Sequence, residues 1–237
     1  MLLFRLRYRK ELSTLFIIST ASLILYSIQN SSSNHNDTSA QKSNQEIKIL
    51  SLHSLIQNGS PFLGNVSAPI TIIDFSDFQC YLCNRHVKNT EPLLNQTYVQ
   101  TGKVALVFKH LPNRGLESMG AALAAQCAND QGKFWQFHKL LYSNQKLIDS
   151  GWISNGNLKK FASQTAGLDT QQFDSCLDSE NYKSFVQKDI DLALSFGFME
   201  TPSFIIEYSN GSNLEFLAGA LPFESFKAVI DKKMSGR

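Results

Sequence analysis

Long blocks of apolar and polar positions dominate the chain before any finer period appears. Residues 12–28 are almost purely apolar, interrupted only by Ser and Thr, and residues 29–46 (QNSSSNHNDTSAQKSNQE) are polar and rich in Ser and Asn. Beyond residue 47 shorter periods emerge. ITIIDFS (residues 70–76) is β-branched and apolar, starts after Pro69 and predicts a buried strand. From Cys80 to about Tyr98, Cys83, Val87, Leu94 and Tyr98 share a narrow arc at ~100° per residue, which predicts a helix, and Pro92 should kink it. KVALVFKH (residues 103–110) predicts a second strand. Residues 113–197 hold only helical patterns: an Ala-rich segment around Cys127, the aromatic and Leu face of KFWQFHKLLYSNQ, then LKKFASQTAG, TQQFDSCLDS and YKSFVQKDIDLALSFG. PSFIIEY and LEFLAGA predict a hairpin across SNGSN, with Asn210-Gly211 as the turn. FESFKAVIDKK closes the chain as a helix.

The large blocks set the organisation. Arg5, Arg7, Arg9 and Lys10 form a basic flank (residues 1–11) before the apolar run, the pattern of a targeting or anchoring segment. The run sits at the short end of the ~17 to 25 residues that cross a bilayer. The positive flank stays inside, so all that follows is exported. YSIQNSSS offers Ser27 but then Gln29, a poor match to the small residues a signal peptidase requires. An uncleaved membrane anchor therefore fits residues 12–28 better than a cleaved signal. Residues 29–46 bury too little surface to offset their ordering entropy and read as a flexible tether. Residues 47–237 fit one domain.

Charge narrows the partners. Formal net charge is +2, and four positive groups lie in the first ten residues, leaving −2 for the rest. Without a basic stripe the globular part has no electrostatic footprint for nucleic acid. Six N-x-S/T sequons, at Asn30, Asn36, Asn58, Asn65, Asn95 and Asn210, are candidate glycan acceptors in an exported chain.

Without the helical block the element order is β-α-β…β-β-α, that of the thioredoxin fold. Cys80 falls between a strand and the first turn of a helix, where unpaired N–H groups and the macrodipole stabilise a thiolate, the reactive form. Cys83 lies one turn further in, on the arc facing the sheet. An exposed first sulfur and a sheltered second suit disulfide exchange, with Cys83 resolving the mixed disulfide. A zinc knuckle needs two more ligands, and no second C-x-x-C is present, so no metal is expected. A structural Cys80–Cys83 bridge would close almost no loop.

DFSDFQCYLC, QGKFWQFHKLL, TPSFII and GALPFESFKAVI, in that order, resemble segments of the DsbA-like thiol–disulfide oxidoreductases, which carry a helical domain inserted into a thioredoxin fold. The likeness runs from about residue 61 to the C-terminus. One departure is Tyr81, where the family often has Pro. The resemblance implies a cis bond at Thr201-Pro202 facing the cysteine pair, with the Thr201 backbone turned outward to pair with an extended substrate strand. It also supports reading Asp74 and Lys109, on neighbouring strands, as a charged pair and proton relay beneath Cys83; a solvated strand-end pair is the alternative. Cys127 and Cys176, on separate helices of the insertion, read as a structural disulfide, with two free buried thiols as the alternative. The histidines receive no role: His86 reads as a solvated helix residue, and His35, His53, His110 and His138 have no evident partner. Phe134, Trp135 and Phe137 read as core of the insertion.

The reading is an exported, membrane-tethered thiol–disulfide oxidoreductase that donates disulfides to cysteine pairs of other exported proteins. It needs no cofactor, so a membrane partner must reoxidise it. A reductase or isomerase is the alternative within the class, and a non-catalytic peptide-binding thioredoxin-like protein the alternative outside it. Tyr81-Leu82 supplies no positive charge between the cysteines. The expected Cys80 pKa is therefore roughly 5 to 6.5, with help from Arg85 and His86, and the expected potential is about −150 to −220 mV.

Overall fold

The computed structural model describes residues 51–208 and 214–236. The basic flank, the apolar run at 12–28, the tether and the Asn210-Gly211 turn lie outside the described residues. Among the described residues no helix is long and apolar enough to cross a membrane.

Helix α1 (Leu52–Gln57) and a two-residue strand β1 (Phe62–Leu63) precede the strand β2 (Ile70–Ser76). Helices α2 (Tyr81–Asn89) and α3 (Glu91–Leu94), extended by a π-helical turn (Asn95–Val99), lead to β3 (Val104–His110). The insertion follows as α4 (Ser118–Asn129), α5 (Phe134–Ser143), α6 (Asn155–Gln164), α7 (Thr170–Asp178) and α8 (Lys183–Ser195). Strands β4 (Ser203–Tyr208) and β5 (Glu215–Ala218) and helix α9 (Phe223–Met234) complete a thioredoxin-like α/β fold.

The sheet order is β1-β3-β2-β4-β5. β2 and β3 are parallel, and the other pairings are antiparallel. Both central strands are buried along their whole length. Covered on two faces, they read as continuous apolar runs rather than alternating ones. On one face Ile70, Ile72, Phe204 and Ile206 pack with Leu94, Tyr98, Phe226 and Ile230. On the other, Ile73, Phe75, Val107 and Ile205 pack with Leu55 and Ala193, which places α1 and α8 there. The insertion has its own core around Phe134, Phe137, Leu141, Leu158 and Phe173, and this core reaches Phe108 of the central strand β3, Phe78 and Cys83.

The helix after the cysteines breaks at Thr90 rather than bending at Pro92. Pro92 has no N–H to give to the preceding turn. It enters the first turn of α3 instead, where that donor would be unused. The Thr90 hydroxyl fixes the corner by donating to Leu221 O at 2.9 Å.

Candidate active site

Cys80 is the N-cap of α2: its backbone is extended, and its sulfur accepts the N–H of Cys83 at 3.3 Å. The sharp entry into the helix is made by the preceding residues. Cys80 N donates to Asp77 O at 3.0 Å, and the Asp77 carboxylate accepts Gln79 N at 2.8 Å. Cys83, one turn in, is 0% exposed. Cys80 is only 3% exposed, so the first sulfur is far more covered than its place in the sequence implied. Its thiol donates to Thr201 O at 3.2 Å across a loop in which Thr201-Pro202 is cis. The Thr201 carbonyl thus faces Cys80 rather than turning outward, and Thr201 is buried. Tyr81, between the cysteines, is 73% exposed, while Leu82 packs against the insertion core.

Several contacts tie this loop to the insertion. Asp77 also accepts the N–H groups of Asn113 and Arg114, each at 2.8 Å, and the hydroxyl of Ser118 at 2.9 Å. Gln79 donates to Asp149 Oδ1 at 2.9 Å and accepts Asp149 N at 2.7 Å. Asp149 in turn takes Leu116 N and Glu117 N. Gly115 sits inside this knot, where a Cβ would come within 2.6 Å of Gln79 Nε2. Gln145 donates to Phe78 O and Cys80 O, and Tyr142 donates to Asp77 O. The active-site turn is therefore gripped by polar side chains from loops that no local sequence pattern connects.

The electrostatics divide the two sulfurs. The Cys80 thiol is lowered to about 6, first by the hydrogen bond from the Cys83 thiol and then by a side-chain hydrogen bond with Thr201, the Cys83 N–H and the charge of Arg114, against the opposing effect of burial. Cys83 is pushed up, chiefly by burial and then by its bond to Cys80 and the charges of Cys80 and Asp74. Asp74, buried in β2, is raised to about 7 by burial, opposed by the hydrogen bond from Ser76 and reinforced by the charge of Cys80. Glu91 is raised to about 8 by burial and by Asp74.

The Asp74–Lys109 pair does not exist. In the parallel register Asp74 lies opposite Phe108, and Lys109 lies opposite Phe75. Side chains alternate between faces along a strand, so the two charges point to opposite sides of the sheet. Lys109 instead binds Asp189 of α8 at 2.7 Å. His86 is also not solvated. It is buried between Phe204 and Phe226, and burial lowers its pKa to about 3, so it brings no charge to Cys80. Arg85 turns to Ala220 O. The cation acting on Cys80 is Arg114, which the sequence reading missed; it lies in a loop without periodicity, and only its place after β3 could have pointed to it.

Cys127 and Cys176 form a disulfide between α4 and α7, with Cα atoms 5.8 Å apart. Among the described residues no group of three or more His, Cys, Asp or Glu could hold a metal ion.

The family model described as thioredoxin matches residues 57–232. The disulfide bond formation protein D of Bacillus subtilis is 27% identical over 181 residues, 76% of this chain and 79% of its own length. The probable disulfide bond formation protein D of Bacillus cereus is 34% identical over 175 residues, 73% of this chain and 77% of its own. The crystal structure of oxidised BdbD from Bacillus subtilis superposes with a TM-score of 0.68 at 26% identity, covering 75% of this chain and 94% of that one. A buried cysteine pair at a helix start, a facing cis-proline loop and these likenesses agree: the chain belongs to the thioredoxin family and, within it, to the DsbA-like thiol–disulfide oxidoreductases.

Proposed function

We propose that the protein donates the disulfide of Cys80 and Cys83 to cysteine pairs of exported proteins. The observation that carries this reading is the unequal environment of the two sulfurs: Cys80 is stabilised as a thiolate and Cys83 is held as a thiol. In the oxidised form a substrate thiolate attacks the Cys80 sulfur. The Cys80–Cys83 bond breaks, its electron pair goes to Cys83, and Cys83 takes up a proton, with Asp74 the buried acid beside it. The substrate's second cysteine loses its proton to solvent and attacks the substrate sulfur of the mixed disulfide. Cys80 then leaves as a thiolate. The substrate loses two electrons and two protons, both protons to solvent; Asp74 takes back from solvent the proton it passes to Cys83, so the net result is one proton on Cys83 and one in solvent. A good leaving group at Cys80 favours this direction.

The Cys127–Cys176 disulfide supports an oxidising, extracytoplasmic compartment. In this reading residues 12–28 anchor the domain to the membrane through the tether, and a membrane partner takes the two electrons from the reduced pair. Thr201 and Pro202 border the position where the substrate sulfur meets Cys80.

The deciding experiment is a glutathione titration of the Cys80–Cys83 pair. A potential of about −150 to −220 mV is expected, against the ~−270 mV of thioredoxin and ~−120 mV of DsbA. A value of −260 mV or lower rejects the donor and favours a reductase. Cys80→Ser abolishes turnover in either case; turnover that survives it would place the function in peptide binding.

A further inference from the structure

Arg114 leaves β3 on a loop whose backbone Asp77 holds, so its side chain is aimed by the same carboxylate that shapes the cysteine turn. Its Nε donates to Thr201 Oγ1 at 3.2 Å, and its guanidinium pairs with Glu200. Thr201 O is the acceptor of the Cys80 thiol. One side chain therefore bridges the residues on the N-terminal side of the cis-proline, and its charge acts on the Cys80 sulfur from beside the carbonyl that accepts the Cys80 thiol. Tyr81 and Leu82 contribute no positive charge, Arg85 is engaged with Ala220, and His86 is buried in an aromatic slot.

We propose that Arg114 supplies the positive charge that adds to the stabilisation of the Cys80 thiolate, in place of a charged group between the cysteines, and that Glu200 holds it in partial reserve. In the disulfide form Cys80 is neutral, and Glu200 is the anion facing the guanidinium. When Cys80 departs as a thiolate, a second anion appears beside the same cation. Glu200 and Cys80 then compete for Arg114, so the leaving-group quality of Cys80 depends on a salt bridge two loops away from the C-x-x-C segment.

The other titratable groups facing Cys80 are accounted for. Cys83 on α2 donates its thiol hydrogen, Asp74 in β2 opposes the thiolate by charge, and Tyr142 on α5 stays protonated, its own pKa pushed up by burial. Among the described residues acting on Cys80, Arg114 brings the positive charge. Arg114 is 29% exposed and Glu200 75%, so solvent screens both. The effect is accordingly a fraction of a pKa unit to about one unit.

This inference rests on the exchange role of Cys80 but not on the direction of electron flow, and the test separates the two. Thiolate absorbance of the reduced protein is titrated in Arg114→Gln, Arg114→Lys and Glu200→Gln, alongside glutathione equilibration. Arg114→Gln is expected to raise the Cys80 pKa by about 0.5 to 1 unit and to shift the glutathione equilibrium about 3- to 10-fold toward the disulfide. That corresponds to roughly 15 to 30 mV less oxidising at 29.6 mV per tenfold. Arg114→Lys, which keeps the charge, is expected to restore more than half of the shift. Glu200→Gln is expected to move the pKa the other way, and 1 M salt to shrink the differences. A structural role would weaken folding without opposite signs at the two positions. An unchanged pKa in Arg114→Gln, or a same-sign shift in Glu200→Gln, overturns the inference whatever the potential of the unaltered protein.

Discussion

Lys109 and Asp189 form a buried ion pair, 2.7 Å apart, that ties the centre of the sheet to the last helix of the insertion. Asp189 also accepts the backbone N–H of His110 at 3.0 Å. Removing one partner leaves the other charge without compensation in the interior, which costs about 3 to 5 kcal/mol. Lys109→Met is expected to lose roughly that much in urea denaturation, and Lys109→Met/Asp189→Leu to regain part of it. Because Lys109 faces away from Asp74, the Cys80 thiolate titration should not move. A shift of half a unit or more would restore a role for Lys109 at the site.

The Cys127–Cys176 disulfide spans 49 residues. In the chain-entropy model a loop of this size is worth roughly 4 kcal/mol, an upper figure where the reduced chain keeps structure. Cys127→Ala/Cys176→Ala should therefore denature at lower urea by up to about that amount. Exchange at Cys80 should continue at temperatures where the variant is folded. A loss below about 1 kcal/mol would show that the insertion's apolar core holds α4 and α7 together unaided.

Asp77 gathers three backbone N–H groups from two loops and one hydroxyl from the start of α4. Asp77→Ala strands those donors, and each buried unpaired group costs about 1 to 3 kcal/mol unless water reaches it. A loss of about 3 kcal/mol is expected, together with faster amide exchange at Asn113 and Arg114. Unchanged exchange there would mean that Asp149 and Gln79 suffice to hold the loop.

The readability of the chain followed how local each feature is. β2 and the start of α2 stood out because a strand buried on both faces is a continuous apolar run and because Cys80 and Cys83 are one turn apart. β1 is two residues long and shows no period at all. Asp74 and Lys109 were placed on the correct neighbouring strands, but their relation depended on register. A parallel pairing that sets Asp74 against Phe108 puts them on opposite faces, and nothing within either strand fixes that offset. His86 looked solvated because its partners, Phe204 and Phe226, lie more than a hundred residues away. Arg114 was invisible for a similar reason: its position depends on Asp77 and on Glu200, from two other loops.

Asp74 yields the most demanding test, because stability and kinetics should respond in different pH windows. Its pKa is raised from 3.8 to about 7 in the folded reduced protein. A carboxyl with a raised folded pKa contributes stability that is fully present below its unfolded pKa and is lost as pH rises through the folded value. Asp74→Asn removes that loss. Relative to the unaltered protein, the variant should gain stability steadily from about pH 4 to pH 7 and level off above, by a few kcal/mol at most. Cys80 behaves oppositely: its lowered pKa contributes stability present above about pH 9 and lost as pH falls through about 6. Both proteins carry that term, so it cancels in the difference apart from the repulsion between the Asp74 carboxylate and the Cys80 thiolate, which the variant loses. For kinetics, Asp74 is the base within electrostatic reach of Cys83, whose thiol must be deprotonated to attack a mixed disulfide. Asp74→Asn should slow that attack by about 10²-fold, the lower end of general-base contributions, and should leave attack on or by Cys80 within a few-fold. Stopped-flow measurement with a trapped Cys80 mixed disulfide separates the steps. Equal slowing of both would show that Asp74 acts on the site through packing rather than as a proton carrier.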